Sequence, residues 1–167
     1  RLYLMLYFNL STINSSVSGR MAAVRLGKEL MAISKDPPPN CSAGFQNDDP
    51  FHWIATMKGP PYSPFENALF QLDFKFPTDY PFKPPTVKFL TPVWHPNIAT
   101  SGGICVDVLK TEWAPTMNVA KVLISINALL VDPNPDSPLN GEAARLYKSD
   151  RAAYDRKVRE FVVANYR

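Results

Sequence analysis

The segment 95–109 reads HPNIATSGGICVDVL, and the rest of the chain is best interpreted around it. A His-Pro-Asn turn leads to the pair Gly102 and Gly103, and Cys105 then stands in a short apolar run. Glycine lets the backbone turn with φ values that other residues resist. Acyl transfer through a thioester needs a thiol and a group that stabilises an oxyanion, which an amide can do. Cys105 and Asn97 are therefore candidate functional residues, although a lone cysteine is more often a small buried apolar side chain.

The composition favours one domain without a disulfide framework, a metal or a nucleic-acid partner. The 167 residues are enough to bury a substantial core. The formal net charge is only +3 and no cluster of Lys and Arg accompanies it, which argues against nucleic acid. The two cysteines, Cys41 and Cys105, have neither disulfide nor metal-ligand spacing. We therefore expect a protein of a reducing compartment, the cytoplasm or the nucleus.

The first twenty residues differ in character from the rest of the chain. An apolar run over 1–10 precedes Ser, Thr and Asn, a pattern that a short secretory signal also has. The run is too short to span a membrane, and the cysteine usage favours an intracellular protein, so no membrane partner is expected. Met21 has the character of a natural start. We assign residues 1–20 to an N-terminal extension outside the fold and 21–167 to one domain.

Hydrophobic periodicity predicts a helix over 22–34, before the prolines at 37–39. Its apolar stripe recurs at i, i+4 and i+7, at Leu26, Leu30 and Ile33. Arg25 and Lys28 lie off this stripe and, on periodicity alone, belong to a solvated face.

Four strands with short connections are predicted next, which favours an antiparallel meander. Their expected bounds are 41–47, 52–58, 69–76 and 86–90, with turns at 48–50 and 59–61. Three helices follow at about 119–130, 140–148 and 151–165, the first capped by Asn118 and the last by Ser149 or Asp150. This order predicts an α+β fold, with an N-terminal helix and three C-terminal helices packed on one four-stranded sheet.

A stiff proline-rich loop, FPTDYPFKPP at 76–85, separates the third and fourth strands. An aromatic residue before proline makes the Tyr80–Pro81 bond a candidate for the cis form. Phe82 is either an exposed apolar residue that marks a partner site or a side chain tucked into the core, and periodicity does not separate the two.

These motifs together resemble the ubiquitin-conjugating enzymes over residues 21–167. The motifs that carry the resemblance are the 76–85 loop, His95-Pro96-Asn97, the ICVDVL run at 104–109, Trp113 with Pro115, and DPNP at 132–135. The ten-residue step from His95 to Cys105 is also the family's. The segments at 36–38, 41–44 and 48–49 are most similar to the small, broadly acting class that works with RING and HECT ligases.

The resemblance implies a role for each residue near the cysteine. Cys105 would accept ubiquitin from the activating enzyme as a thioester, and a substrate lysine or a ligase cysteine would then take it. Asn97 would stabilise the oxyanion or hold the loop, two roles that one amide can fill. His95 is expected to support the loop rather than act as a base. Asp107 would orient and desolvate the incoming lysine, which favours transfer to lysine.

Partner surfaces are implied in the same way. Arg25 and Lys28 match the basic face for the activating enzyme and ligases, while Phe82, Pro115 and Thr116 match the apolar patch that ligases grip. Ile124 would contact the donor ubiquitin, and Ser42 lies where the back of the sheet can bind a second ubiquitin. The protein is expected to be a monomer. No bound cofactor is expected, because ATP is consumed upstream by the activating enzyme.

By the same resemblance, Ser137 lies at a position near the thioester where close relatives often carry Asp and others carry Ser. A hydroxyl lacks the carboxylate's field, so we predict lower intrinsic reactivity towards lysine. Phosphorylation of Ser137 would restore negative charge at this position. If Ser137→Asp and Ser137→Ala discharge free lysine as fast as the parent, this hypothesis fails. The segment between Cys105 and Trp113 lacks the two-residue insertion of the SUMO-conjugating member, which argues for ubiquitin as the modifier.

Two other interpretations compete with the carrier. A non-enzymatic adaptor of the same fold would lack the acceptor cysteine, whereas Cys105 is present. A cysteine hydrolase would need a histidine base near Cys105, and the chain offers His52 and His95.

Overall fold

Four antiparallel strands and four α-helices form the part of the chain that this computed structural model describes, residues 17–166. The helices are α1 (Val17–Lys35), α2 (Val119–Val131), α3 (Gly141–Ser149) and α4 (Arg151–Asn165), and the strands are β1 (Cys41–Gln46), β2 (Asp49–Lys58), β3 (Leu69–Lys75) and β4 (Thr86–Phe89). A 3-10 turn lies at Asp107–Leu109. The predicted α+β architecture is confirmed.

The sheet is a meander in which each strand pairs with the next along the chain, in the order β1-β2-β3-β4. Asn47 and Asp48 form the β1–β2 turn with φ of 52° and 57°. Both residue types tolerate this left-handed region, which short hairpin turns require. The predicted turn at 48–50 was therefore misplaced, because Asp49 and Pro50 belong to β2 and that strand starts three residues earlier than expected.

One face of the sheet forms the core and the other faces outward, because side chains alternate along each strand. The inward residues of β2 and β3 are fully buried aromatic and aliphatic side chains: Trp53, Ala55, Met57, Phe70, Leu72 and Phe74. Leu26 of α1 and Ile126 of α2 belong to the same core. The outer face carries Ser42 of β1, which is exposed, and the paired side chains of His52 and Asp73.

Helix α1 begins at Val17, five residues before the predicted start. Residues 17–20 of the predicted extension are therefore helical, and Gly19 is buried. Ser18 Oγ also donates a hydrogen bond to the carbonyl of Thr78 at 3.1 Å. The rest of the predicted extension, residues 1–16, lies outside the described residues, as does Arg167. No helix within 17–166 is both long and apolar enough to span a membrane.

Side-chain caps fix the starts of the three C-terminal helices. Asn118 Oδ1 accepts a hydrogen bond from Lys121 N at 2.9 Å, as predicted for α2. Asn140 caps α3 in the same way. Asp150, not Ser149, caps α4 and accepts from Ala153 N at 2.9 Å. Each cap satisfies an amide that the first helical turn leaves without a partner.

The proline-rich loop adopts the predicted cis bond between Tyr80 and Pro81. Tyr80 is buried, whereas Phe82 is 73% exposed, so of the two alternatives for Phe82 the exposed one is correct. Trp113 Nε1 donates to the carbonyl of Pro81 at 2.9 Å. This bond joins the loop to the segment that precedes α2.

Candidate active site

Cys105 lies at the end of a loop that closes on itself. Its backbone N donates to the carbonyl of Asn97 at 2.9 Å, and Ala99 N donates to the carbonyl of Gly103 at the same distance. The thiol is free and half-buried. A reactive cysteine must be accessible to its reaction partner, and partial exposure on an anchored backbone provides that access.

Gly102 is the residue that allows this loop to pack against β4. Its φ is +88°, and a Cβ added there would lie 2.0 Å from the carbonyl oxygen of Phe89. The carbonyl of Gly102 also accepts a hydrogen bond from Phe89 N of β4 at 2.9 Å. A close backbone approach at positive φ requires glycine. Of the two glycines noted in the sequence, only Gly102 carries this constraint, because Gly103 has no atom closer than 3.8 Å to an added Cβ.

His95 is fully buried and both of its ring nitrogens have partners. Nε2 lies 2.8 Å from the carbonyl of Leu129 and donates to it, while Nδ1 accepts a hydrogen bond from Asn97 N at 3.0 Å. Burial lowers the pKa of His95 to about 4, so the ring is neutral at physiological pH. A ring fixed in this way orders the His-Pro-Asn turn and has no free nitrogen with which to act as a base.

Asn97 is also fully buried, and its side chain holds the loop at 132–138. Nδ2 donates to the carbonyls of Asn134 at 2.6 Å and Ser137 at 3.1 Å, and Oδ1 accepts from Asn134 N at 2.8 Å. An amide has two hydrogens to donate, and both are used here. Of the two roles that the sequence left open, these contacts correspond to holding the loop, and an oxyanion would require one of the two donors to be released.

Asp107 lies on the exposed 3-10 turn directly after the cysteine. Its backbone carbonyl accepts hydrogen bonds from Lys110 N and Glu112 N, each at 2.9 Å. Within residues 17–166 its carboxylate takes part in no hydrogen bond or ion pair. The Asp107 carboxylate is therefore exposed and unpaired within these residues, two positions after the cysteine.

Lys110 is a site residue that sequence reasoning missed. Its Nζ donates to Cys105 Sγ at 3.3 Å. The only signal was a lysine five residues after the cysteine, and the fold of the 3-10 turn decides whether that spacing brings the two groups together. The turn does so by folding Lys110 back over Asp107.

Ser137 is exposed, and its backbone is positioned by Asn97. The neighbouring Asp136 carries a carboxylate that forms an ion pair with Lys148 at 2.6 Å. Ser137 itself supplies no carboxylate, but the preceding residue, Asp136, has one, and it is paired with the Lys148 ammonium. Exposed pairs of this kind contribute little to stability, so the pair is easily broken.

Arg25 does not belong to a solvated face, and that prediction is wrong. Its side chain is 34% exposed, and the guanidinium donates to Glu29 at 2.6 Å and to the carbonyls of Met117 at 2.9 Å and Pro115 at 3.3 Å. These bonds tie α1 to the segment that precedes α2. Lys28, one turn along, is exposed as predicted from periodicity.

Glu29 is a second residue that sequence reasoning missed, because it also lay off the apolar stripe. It is buried and accepts hydrogen bonds from Arg25, from Tyr80 Oη at 2.7 Å and from Val119 N at 3.0 Å. Burial and the adjacent Glu29 carboxylate raise the pKa of the Tyr80 hydroxyl, which stays protonated and donates. The carboxylate at the start of α2 also complements the helix dipole. One side chain therefore joins α1, the proline-rich loop and α2.

The other predicted partner residues lie on the loops around Phe82 and Pro115, on α2 and on the outer face of the sheet. Phe82, Pro115 and Thr116 are exposed on two loops that the Trp113–Pro81 bond joins, so the structure brings these two loops together. Ile124 is 53% exposed on α2, and Ser42 is exposed on the outer face of the sheet. Across residues 17–166, no group of three or more His, Cys, Asp or Glu is placed to hold a metal ion.

A comparison with protein families matches residues 25–162 to the family described as ubiquitin-conjugating enzyme. The match covers all four strands, α2, α3, most of α1 and α4, and every candidate site residue named above. The chain therefore belongs to the ubiquitin-conjugating enzyme family.

Proposed function

We propose that the protein is a ubiquitin carrier that accepts ubiquitin on Cys105 as a thioester and passes it to a substrate lysine or a ligase cysteine. The family assignment supports a ubiquitin-conjugating role. The observation that carries the finer proposal is the free, half-buried Cys105 thiol on a loop anchored by Asn97. The other cysteine, Cys41, starts β1, and burial raises the pKa of its thiol, which makes it the poorer nucleophile.

In this proposal each residue around Cys105 has a distinct role. The neutral His95 ring orders the turn, and Asn97 fixes the 132–138 loop beside it. The Asp107 carboxylate would orient the attacking lysine and help to desolvate it, and desolvation favours loss of the lysine proton. Because the carrier only transfers an acyl group that is already activated, it requires no bound cofactor, and ATP is consumed by the activating enzyme.

The hydrolase alternative is disfavoured by the state of the two histidines. A cysteine hydrolase needs an imidazole with one nitrogen free to take the thiol proton. Both nitrogens of His95 are engaged, and His52 lies on the outer face of the sheet in contact with Asp73. The adaptor alternative is disfavoured by the presence of the Cys105 thiol.

We further propose that the exposed group Phe82, Pro115 and Thr116 binds RING or HECT ligases, and that Lys28 and Arg25 face the activating enzyme. Ile124 would contact the donor ubiquitin, and Ser42 would lie on a second ubiquitin-binding surface. The exposure of these residues, apart from Arg25, supports this assignment. Arg25 would act by fixing the Pro115 segment as well as by direct contact. The carrier would work as a monomer in the cytoplasm and nucleus, within the small, broadly acting class.

A charging assay tests the proposed function. The protein is mixed with activating enzyme, ubiquitin and ATP and separated with and without reductant. The expected result is a reductant-sensitive band one ubiquitin heavier, absent without ATP. Cys105→Ala should lose the band, Cys105→Ser should give a reductant-resistant oxyester, and Cys41→Ser, the matched control, should charge like the parent. Charging of Cys105→Ala, or no charging with ubiquitin by a proven activating enzyme, contradicts the proposal, and a parallel reaction with SUMO identifies a different modifier.

A further inference from the structure

We propose that Tyr62 and the groove beside it form a docking surface for an extended segment of another protein, one that carries an apolar side chain next to a carboxylate. Tyr62 lies in the loop 59–68, which joins β2 to β3. The surface includes none of the residues assigned to the thiol chemistry, the activating enzyme, the ligases or ubiquitin. The inference therefore goes beyond the proposed function and does not require a thioester on Cys105.

The backbone conformation of Tyr62 is the observation that carries the proposal. Its φ is 60°, in the left-handed region, where a bulky side chain is an outlier that strains the backbone. After glycine, asparagine and aspartate adopt this region most readily. Within residues 17–166 the other non-glycine residues at positive φ are Asn40, Asn47, Asp48 and Asn67. Tyr62 is the exception, so the backbone does not explain why a tyrosine stands there.

Contacts of the Tyr62 side chain do not explain it either. The residue is 99% exposed, and its side chain forms no hydrogen bond and no ring contact with any residue of 17–166. An aromatic ring left in water forgoes the free energy that its burial would release. A residue that strains the backbone and contacts nothing in its own chain is explained by a contact with another molecule. Tyrosine is also enriched among the residues that dominate binding at protein interfaces.

The loop holds Tyr62 in a fixed position. Tyr62 N donates to Glu66 Oε2 at 3.3 Å, and Ser63 Oγ donates to the carbonyl of Pro60 at 2.6 Å. Phe65, three residues after the tyrosine, is buried in the core. A side chain presented from an anchored backbone loses less freedom on binding, which lowers the entropic cost of association.

A groove of about 350 Å³ begins at the residue after Tyr62 and runs between the loop and the end of α4. Its lining is mainly apolar and includes Pro64, Val163 and Tyr166. The Tyr166 hydroxyl donates to the carbonyl of Pro92 at 2.6 Å, which fixes the ring. This volume is at the lower end of the range for ligand pockets, so the groove suits one side chain with its flanking backbone.

Two polar side chains in the lining define the chemistry of the occupant. Arg159 of α4 and the Asn67 amide form no hydrogen bond or ion pair with any residue of 17–166. Glu66, the acidic residue of the lining, accepts the bond from Tyr62 N on the opposite wall. A guanidinium binds a carboxylate with two parallel hydrogen bonds, and an amide pairs with the N–H and C=O of a peptide. The groove is thus complementary to a peptide backbone at Asn67, an acidic side chain at Arg159 and an apolar side chain between them.

The surface lies at the opposite end of β3 from the proposed ligase site. The loop 59–68 precedes Leu69, the first residue of β3, whereas Phe82 belongs to the loop that follows Lys75, the last. The strand has seven residues, which places its ends about 20 Å apart. A partner held at Tyr62 and a ligase held at Phe82 would therefore bind at the same time.

The first experiment measures what Tyr62 costs the fold. Tyr62→Asn replaces the strained bulky side chain with a residue type that accepts positive φ, so the thermal midpoint should rise by about 2–4 °C. Tyr62→Phe keeps both the ring and the strain and should melt like the parent. If Tyr62→Asn melts at or below the temperature of the parent, the fold itself requires the tyrosine and the proposal is overturned.

The second experiment measures binding by NMR titration of the isotope-labelled protein. The probe is a synthetic octapeptide of alternating leucine and glutamate, blocked at both ends. We expect saturable shifts at millimolar peptide, confined to the amides of 62–68 and 159–166. Matched peptides with lysine in place of glutamate, or serine in place of leucine, should bind about tenfold more weakly or worse, because each lacks one of the complementary groups.

Matched variants assign the peptide to the groove. Tyr62→Asn and Arg159→Glu should each weaken binding about tenfold or more, a loss typical of residues that dominate an interface. Arg156→Glu makes the same charge change on an exposed residue one turn earlier in α4, outside the groove, and should bind within about twofold of the parent.

Four results of the titration would overturn the proposal: no saturable binding of the acidic peptide, shifts centred elsewhere, equal binding of the lysine peptide, or undiminished binding by Tyr62→Asn. Neither experiment uses the thioester, so this inference and the proposed function stand or fail separately.

Discussion

The side chain of Asn97 and the backbone of Asn134 are joined by two hydrogen bonds of opposite direction. Asn97 Nδ2 donates to the Asn134 carbonyl at 2.6 Å, and Asn134 N donates to Asn97 Oδ1 at 2.8 Å. A buried amide paired in this way replaces a backbone partner and connects two loops that are distant in the sequence. The loop beside the candidate nucleophile is therefore positioned by one side chain.

Replacing Asn97 with Ala should loosen that loop and destabilise the protein. The change leaves the backbone groups of Asn134 and Ser137 without partners in a partly buried setting, which costs about 2–4 kcal/mol. Chemical denaturation measures the loss. Asn165→Ala is the matched control, since that amide is exposed at the end of α4 and should change stability by less than about 0.5 kcal/mol.

Hydrogen exchange locates the same effect. The Leu139 and Asn140 amides donate to the carbonyl of Pro96, beside Asn97, and should exchange faster in Asn97→Ala than in the parent. Equal protection of these amides in both proteins would mean that the loop is held by other contacts.

The glycine pair offers a second test in which neighbouring residues should respond differently. Gly102→Ala places a Cβ 2.0 Å from the carbonyl oxygen of Phe89 and strains a φ of +88°, so the free energy of unfolding should fall by about 3 kcal/mol or more. Gly103→Ala meets nothing closer than 3.8 Å and should change stability by about 1 kcal/mol or less. Thermal and urea unfolding of both variants measures the difference. Similar losses in the two would contradict the assignment of the constraint to Gly102.

The buried His95 predicts that the protein loses stability as the pH falls below 6.5. Its pKa is lowered from 6.5 to about 4 in the folded state, so between these values the unfolded chain binds more protons than the folded one. The contribution of His95 is complete above pH 6.5 and is lost as the pH falls towards 4. Between pH 7 and pH 5 the expected loss from this residue is about 2 kcal/mol.

Denaturation at several pH values checks this, with the other histidine as the control. His95→Gln should lose this part of the pH dependence, although its stability at pH 7 is already lower, while His52→Gln should retain it. The ring signals of His95 in the parent should not titrate between pH 7 and pH 5. A midpoint near 6.5 for His95 would show that the ring is not buried as described.

The sequence was sufficient for the fold because its signals are local. Alternating residues in β3 and the apolar stripe of α1 depend only on spacing, and Asn118 at the start of α2 is a recognisable cap. Glu29 is a residue whose burial such local signals do not predict. A carboxylate off the apolar stripe indicates solvent, but Tyr80 and the start of α2 come from distant parts of the chain and enclose it. Lys110 was missed for the same reason at short range, because side chains five residues apart come into contact only when the backbone turns between them.

Two buried tyrosines should respond in opposite ways to loss of the hydroxyl. Tyr154 Oη is buried and finds no hydrogen-bond partner among residues 17–166, so its burial costs free energy that the folded protein does not recover. Tyr154→Phe keeps the ring contacts with Trp94 and Tyr147 and should leave stability unchanged or raise it by about 1 kcal/mol. Tyr80→Phe removes the donor to Glu29 at 2.7 Å and should lower stability by about 1.5–3 kcal/mol, because the acceptor is a buried carboxylate. Urea unfolding of both variants at pH 7 gives the comparison. A destabilised Tyr154→Phe would require a partner for that hydroxyl, and an unaffected Tyr80→Phe would mean that Arg25 and Val119 N satisfy Glu29 without it.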